Sequence, residues 1–261
     1  MPIADLHAYF AAGGTAVNGW CAIPSPVTAE IMGRAGFDLM TVDLQHGLID
    51  YQMALTMCQV LQGLPAPVMV RVSWNEPGII MKCLDAGFAG VICPMINTVE
   101  DARRLVQSTR YAPLGGRSFG PTRANLVHGP GYAKGANAAV LVFAMIETRE
   151  ALGNLDQILA VEGIDGVYVG PSDLGLSLGY QPTLEPTDPE VLDAIETIVT
   201  KARAAGKLAG IHTGSPEMIR TMLAKGFHFA SLLTDVRLFA SALATQIAEV
   251  RNTEAKTVKG Y

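Results

Sequence analysis

Short apolar runs alternate with longer amphipathic stretches along almost the whole chain. Eight such runs stand out, at residues 15–22, 38–43, 67–72, 89–94, 139–146, 165–170, 207–211 and 227–233. Each is nearly continuously apolar, as parallel strands are when helices cover both faces of their sheet. Helix starts between the runs are marked by cap residues. Thr98 with Asp101 makes a capping-box pattern, while Asp188-Pro189 and Ser215-Pro216 each place a capping residue before a proline at the first helical position. After Asp188, Val191, Ile195, Ile198, Val199 and Ala202 fall on one helical stripe. An amphipathic helix, a glycine and a short apolar strand recur as a unit in EIMGRAGFDLMTVDL, MKCLDAGFAGVICPMI, TKARAAGKLAGIH and TMLAKGFHFASLL. Gly36, Gly87, Gly206 and Gly226 sit where a helix end needs a left-handed residue. Eight alternations, with no GxGxxG after the first strand, predict a closed (β/α)8 barrel rather than an open doubly wound sheet.

Two stretches break this rhythm. Residues 111–138 are glycine-rich and poor in strand formers, which predicts a long, lid-like loop after the fourth strand. The segment after Arg251, residues 252–261, reads as a polar tail to a single barrel domain over residues 1–251. A length of 261 residues suits one such barrel, and 49% hydrophobic against 16% charged residues argues for a well-buried globule.

Charge and cysteine usage narrow the partners. A formal net charge of −5 without a basic run gives no footprint for nucleic acid. No apolar span reaches the roughly 20 residues of a membrane helix, and the run up to Ile146 stops at Glu147. The first ten residues lack the basic region of a signal peptide. Cys21, Cys58, Cys83 and Cys93 form no CxxC pair and sit in apolar stretches, so they read as buried free thiols in a cytoplasmic protein.

In a barrel of this kind chemistry gathers at the C-terminal ends of the strands. The second strand runs into Asp43, Gln45 and His46, the third ends in Arg71, the fifth leads to Glu147, and the sixth runs into Gly170-Pro171-Ser172-Asp173. Glu147 and Asp173 arrive from adjacent strands and could share one hard divalent ion, though carboxylates at such positions are often simply solvated. The turn at Gly170 could grip a carboxylate through its backbone N–H groups, or be an ordinary capped βα turn. Arg71 could steady a developing oxyanion or pair with Asp43 or Glu147, and His46 could serve as an acid or base or be a structural loop residue. Asp85 lies on the helix after the third strand. No lysine ends a strand to make a Schiff base, and neither GxSxG nor a P-loop occurs.

The motifs VDLQHG (42–47), RVSWNEPGIIMKCLDAGFAGVICPMI (71–96), GGRSFGPTRAN (115–125), MIET (145–148) and VGPSDL (169–174) together resemble the HpcH/HpaI aldolase family. The resemblance implies a (β/α)8 barrel assembled as a homo-hexamer, a trimer of dimers with an exchanged C-terminal helix. It implies metal-dependent aldol addition and cleavage between a small 2-oxo acid, pyruvate or hydroxypyruvate, and an aldehyde. Glu147 and Asp173 would hold the ion (Mg²⁺, Mn²⁺, Co²⁺ or Zn²⁺), which serves as electron sink for the enolate. Arg71 would stabilise that enolate, and His46 would move protons with Asp85 as its acidic partner across a subunit interface. Gly170, Pro171 and Ser172 would hold the 2-oxo acid carboxylate, with Trp20 and Arg123 completing the substrate-binding set.

Four positions depart from better-known members: Gln45 where Glu often precedes the histidine, Met145 in place of Gln, and Trp74 and His212 at the pocket rim. They bear on the choice of substrate rather than on enolisation. The competing expectations are a CoA-ester lyase of the citrate-lyase β or malyl-CoA type and a non-catalytic, metabolite-binding barrel.

Overall fold

The computed structural model describes residues 3–254. Eight parallel strands close into a barrel in sequence order: β1 (Ala16–Cys21), β2 (Leu39–Asp43), β3 (Val68–Arg71), β4 (Gly90–Cys93), β5 (Leu141–Ile146), β6 (Gly166–Val169), β7 (Leu208–Thr213) and β8 (Phe229–Leu232). The helices are α1 (Ile3–Ala11), α2 (Pro26–Gly33), α3 (Tyr51–Leu61), α4 (Pro77–Ala86), α5 (Val99–Thr109), α6 (Thr122–His128), α7 (Tyr132–Ala139), α8 (Arg149–Gly153), α9 (Leu155–Leu159), α10 (Pro171–Leu178), α11 (Pro189–Ala204), α12 (Pro216–Ala224) and α13 (Asp235–Arg251).

The two-residue pleat assigns every strand residue to one of two cores. Leu39, Met69, Ile92, Phe143, Tyr168 and Phe229 point inward and pack together inside the barrel, closed at the N-terminal end by Leu6 and Phe10 of α1. Residues of the opposite parity, such as Val42, Val70, Val91, Val142 and Val167, pack outward under the helices. Glycine makes the interior rings fit. A Cβ on Gly210 would lie 2.3 Å from Phe229, and one on Gly166 would lie 2.7 Å from Phe143. Burying each ring contributes on the order of 2 kcal/mol relative to exposure.

The expected punctuation is largely present. Thr98 and Asp101 make the reciprocal capping box of α5, and Ser215 accepts from the Met218 amide at the start of α12. Asp188 occupies the cap position of α11 without a side-chain cap bond, so the proline alone marks that start. Gly36, Gly87, Gly206 and Gly226 take φ values from 67° to 102°.

Every strand end falls within two residues of the sequence reading, and three differences bear on the site. Residues 139–140 finish α7 and its exit instead of opening β5, and β7 extends to Thr213, which places His212 on a strand. The stretch 111–138 carries α6 and α7 and follows α5, so it joins a helix to a strand. Such connections lie at the N-terminal end of a barrel, where Val127, His128 and Tyr132 meet Pro67, Gly87 and Ala89 at the starts of β3 and β4. This segment is therefore no lid over the mouth of its own barrel. Asn252 to Glu254 follow α13, while residues 255–261 of the expected tail lie outside the described residues.

One face of α13 lacks a partner among the described residues. Val236, Phe239, Leu243, Ile247 and Val250 are 41–80% exposed, whereas Asp235 and Ala248 are buried. No helix among the described residues is long and apolar enough to cross a membrane.

Candidate active site

The inward parity that fills the barrel with apolar groups delivers polar ones at the C-terminal ends of the strands. On β2 and β3, Asp43 and Arg71 are register partners. Arg71 donates from Nε to Asp43 Oδ1 at 2.8 Å and from Nη2 to Oδ2 at 2.5 Å, with both side chains almost wholly buried. Asp43 also accepts from Trp20 Nε1 at 3.2 Å and from the backbone amides of Gln45 at 3.0 Å and His46 at 3.3 Å. Burial alone would raise its pKa, but the Arg71 charge and these hydrogen bonds outweigh burial and hold the carboxyl below its usual range. Trp20 in turn lies under the guanidinium, whose Cζ is 4.9 Å from the ring centre. One buried acid thus fixes Arg71, orients Trp20 and shapes the start of the loop carrying His46.

Glu147 follows β5 and is 2% exposed. Its Oε1 accepts from the Met95 amide at 2.8 Å. A Cβ at position 170 would lie 2.5 Å from Oε2, so any side chain there would displace this carboxylate. Burial pushes the Glu147 carboxyl up to about 7, with the nearby Asp173 charge adding to the rise and the Met95 amide and Arg71 opposing it. A carboxylate made costly in this way by burial and a like charge fits a divalent cation. Asp173 comes from the first turn of α10, where Pro171 holds the first helical position. Among the described residues no three His, Cys, Asp or Glu side chains cluster as a closed metal cage. Two carboxylates suit a hard ion that keeps positions for substrate and water.

Arg71, Glu147, Gly170, Pro171, Ser172 and Asp173 line one cleft, with Met145, Tyr168, Leu184 and His212 completing its walls. The backbone N–H groups at the start of α10 face outward from a helix N-terminus, a favourable setting for a carboxylate. His46 stands exposed at the mouth. Partial burial, then the Arg71 charge, lower its pKa against the opposing pull of Asp43 and Asp173, which leaves a neutral imidazole at pH 7. His212 packs edge-on to Trp20, with ring centres 4.8 Å apart, and burial followed by the Arg71 charge drives its pKa down to about 3.

Two sequence candidates lie elsewhere. Asp85, near the end of α4, binds Arg117 at 2.5 Å. Arg123 of α6 donates to the Ala86 carbonyl. Both sit at the N-terminal end of the barrel, since α4 runs back from the mouth toward the start of β4. Neither meets Arg71 or His46 within one chain. Conversely, the sequence points to His212 only as a pocket-rim position and not to Tyr168 or Ser231. Strand parity is the signal that would have found them, because all three share the inward phase of the barrel-filling residues.

Comparison with known proteins agrees with this geometry. Residues 19–242 match the family model described as HpcH/HpaI aldolase/citrate lyase. A hydroxypyruvate/pyruvate aldolase of Rhizorhabdus wittichii is 42% identical over 239 residues, covering 92% of this chain and 95% of that protein. A 4-hydroxy-2-oxo-heptane-1,7-dioate aldolase of Shigella sonnei is 37% identical, covering 98% of this chain and 97% of that one. Among solved structures, an HpcH/HpaI aldolase/citrate lyase family protein from Burkholderia cenocepacia superposes with a TM-score of 0.85 at 28% identity, covering 91% of this chain and 95% of that one.

Proposed function

The chain belongs to the HpcH/HpaI aldolase/citrate lyase family, and from that premise we propose how its cleft carries out aldol chemistry on a small 2-oxo acid. The enzyme is a metal-dependent aldolase of the pyruvate type, a lyase that joins or splits a carbon–carbon bond beside the 2-oxo group. The observation that carries the residue assignment is the convergence on one cleft of Arg71 at the end of β3, Glu147 just after β5 and Asp173 in the first turn of α10.

Glu147 and Asp173 would hold the divalent ion, for which Mg²⁺, Mn²⁺, Co²⁺ and Zn²⁺ are the candidates. When bound, it acts as a Lewis acid toward the 2-oxo oxygen. Gly170, Pro171 and Ser172 cradle the substrate carboxylate at the helix N-terminus. Arg71, pre-set by Asp43, directs fixed positive charge at the oxygen that gains negative charge as the neighbouring carbon loses a proton. His46, neutral at the mouth, is placed to move that proton or the one exchanged with the aldehyde oxygen. Trp20 walls the substrate against Arg71. Pyruvate and hydroxypyruvate are both candidates for the 2-oxo acid, with an aldehyde as its partner.

Asp85 and Arg123 act, on this reading, at the cleft of a neighbouring subunit. The exposed apolar stripe of α13 supports an exchange of that helix and a homo-hexamer built as a trimer of dimers. Four buried free thiols fit a reducing, cytoplasmic setting. The two sequence relatives quoted above are named as aldolases, which supports this reading over a CoA-ester lyase.

The test is deuterium exchange into the methyl group of pyruvate in D₂O, followed by NMR with each metal and with a chelator. Hydroxypyruvate is run in parallel. Metal-dependent exchange is the expected result; no exchange of either acid with any metal would refute the assignment.

A further inference from the structure

A hydrogen-bonded chain of side chains crosses the barrel interior and ends at the cleft. Asn18 Nδ2 donates to Thr41 Oγ1 at 2.9 Å and to Ser231 Oγ at 2.8 Å. Ser231 Oγ lies 2.7 Å from Tyr168 Oη, which lies 3.2 Å from His212 Nδ1. The fold dictates the contact, because Ser231 is the register partner of Asn18 on β1 and of His212 on β7. Asn18, Thr41, Tyr168 and Ser231 are 0% exposed. Four fully buried polar residues in an otherwise apolar barrel are costly unless every hydrogen finds an acceptor.

Accounting for the hydrogens gives the chain a direction. Both Asn18 amide hydrogens are committed, so Ser231 is an acceptor toward Asn18 and has its own hydrogen to place. Tyr168 Oη is the acceptor within reach. Tyr168 then directs its hydrogen to His212 Nδ1, which makes Nδ1 an acceptor and puts the imidazole proton on Nε2. That nitrogen makes no hydrogen bond to another described residue, while the ring itself lines the cleft beside Arg71 and Glu147.

We propose that His212, fixed as its Nε2–H tautomer by Tyr168, is a specificity-determining residue that favours a 2-oxo acid carrying a hydroxyl on the reacting carbon over one carrying only hydrogens there. The proposal rests on the 2-oxo acid reading of the same cleft. The substrate's carboxylate and carbonyl would be served by the turn at Gly170, by Arg71 and by the ion that the two acids would hold. What remains is the neutral N–H of His212, whose ring packs against Trp20 and lines the cleft with the apolar Met145 and Leu184. A hydroxyl oxygen accepts that hydrogen, whereas a methyl group leaves it facing carbon in a confined space. His46, by contrast, stands at the open mouth where the aldehyde enters.

The experiment compares kcat/KM for deuterium exchange of hydroxypyruvate and of pyruvate, with Mn²⁺, in the full-length enzyme and in His212→Leu, His212→Gln and Tyr168→Phe. One neutral hydrogen bond corresponds to about a tenfold change in the hydroxypyruvate-to-pyruvate ratio. His212→Leu is expected to lower the ratio by about that factor, and His212→Gln, which restores an N–H, to recover part of it. Tyr168→Phe, which leaves the imidazole in place with its tautomer released, is expected to lower the ratio about threefold. Nitrogen NMR of labelled histidine is expected to show His212 protonated at Nε2, and that signature is expected to be lost in Tyr168→Phe. A ratio unchanged within twofold in His212→Leu, or an Nδ1–H tautomer in the unmodified enzyme, overturns the proposal. Failure of the unmodified enzyme to exchange either acid overturns the 2-oxo acid reading and the selectivity with it, whereas exchange of both acids with an unmoved ratio overturns the selectivity alone.

Discussion

Asp43→Asn asks whether Arg71 is held in place by charge or by shape. The carboxylate receives five N–H groups: two from Arg71, one from Trp20 and the amides of Gln45 and His46. The amide is nearly isosteric, yet it keeps a single acceptor oxygen and turns an NH₂ toward donors. It also leaves a guanidinium that is 5% exposed without its counter-charge. Removing one partner of a buried pair costs about 3–5 kcal/mol. In a chain of this size that lowers the melting temperature by roughly 10 °C. Arg71 can then tilt toward Glu147, away from the oxygen it serves, and losing one such oriented group costs about 10²–10³ in kcat.

Two assays read this out: thermal unfolding with metal present, and pyruvate exchange resolved into kcat and KM. A large fall in kcat with little change in KM is the expected split. An acid titration adds a third check. The folded Asp43 pKa is depressed, so the pair contributes stability that is fully present above the ordinary carboxylate value near 4 and is lost as pH falls from there through the lower folded value. Unfolding of Asp43→Asn should therefore depend less steeply on pH below about 4. A melting temperature within about 1 °C of the unmodified enzyme, together with kcat within threefold, would show that Arg71 does not need this charge.

Glu147→Gln and Asp173→Asn should each abolish metal-dependent exchange and weaken Mn²⁺ binding by calorimetry, and tight binding in either variant would remove that residue from the ligand set. In the metal-free protein the raised Glu147 pKa makes the folded state bind more protons than the unfolded state from about 4.5 to about 7. Its contribution to stability therefore falls as pH rises through that window, and added Mn²⁺ should raise the melting temperature more at pH 8 than at pH 5.5. An equal rise at both would contradict the ligand assignment. Phe239→Glu, on the exposed stripe of α13, should dissociate the oligomer in analytical ultracentrifugation, and an unchanged sedimentation profile would exclude that face from the interface.

The barrel was legible because its signals are local. Apolar runs, cap residues and the left-handed glycines each report on a few neighbouring residues, and eight of them in alternation leave one closed topology. The strand-end rule carried the site equally far, since Arg71, Glu147 and the Gly170–Asp173 turn all stand where the fold puts chemistry. Asp85 and Arg123 show where locality ends. Each lies in a motif as distinctive as the others, but a helix carries one back to the far end of the barrel, and the segment holding the other stays there. On the proposed assembly, either would reach a cleft only through a second subunit. Residues 111–138 misled for a related reason: glycine content signals irregular backbone without saying at which end of the barrel it lies. Tyr168 and Ser231 lie in runs that count as apolar and His212 just beyond the end of one, although reading each strand by parity separates the inward phase from the outward one.

The charges in the cleft make a last argument, about order of binding. Asp43 and Arg71 cancel each other within one buried pair, and the low pKa values of His46 and His212 keep both rings neutral at pH 7. Glu147 and Asp173 are then the uncompensated charges facing the cleft, and their mutual repulsion is part of what raises Glu147 toward 7. Above pH 7, where Glu147 is mostly ionised, an anionic 2-oxo acid approaching this surface meets two like charges beside the helix N-terminus and Arg71. At the effective dielectric of a partly buried site, one such charge about 4 Å away opposes binding by on the order of 4 kcal/mol, more than a single hydrogen bond returns. A divalent cation between the two acids reverses the balance. Calorimetry should accordingly detect metal binding in the absence of substrate, and no pyruvate binding in the presence of chelator. Pyruvate binding of equal strength with and without metal would mean that the two acids face away from the substrate, and the cleft would then have to be assigned anew.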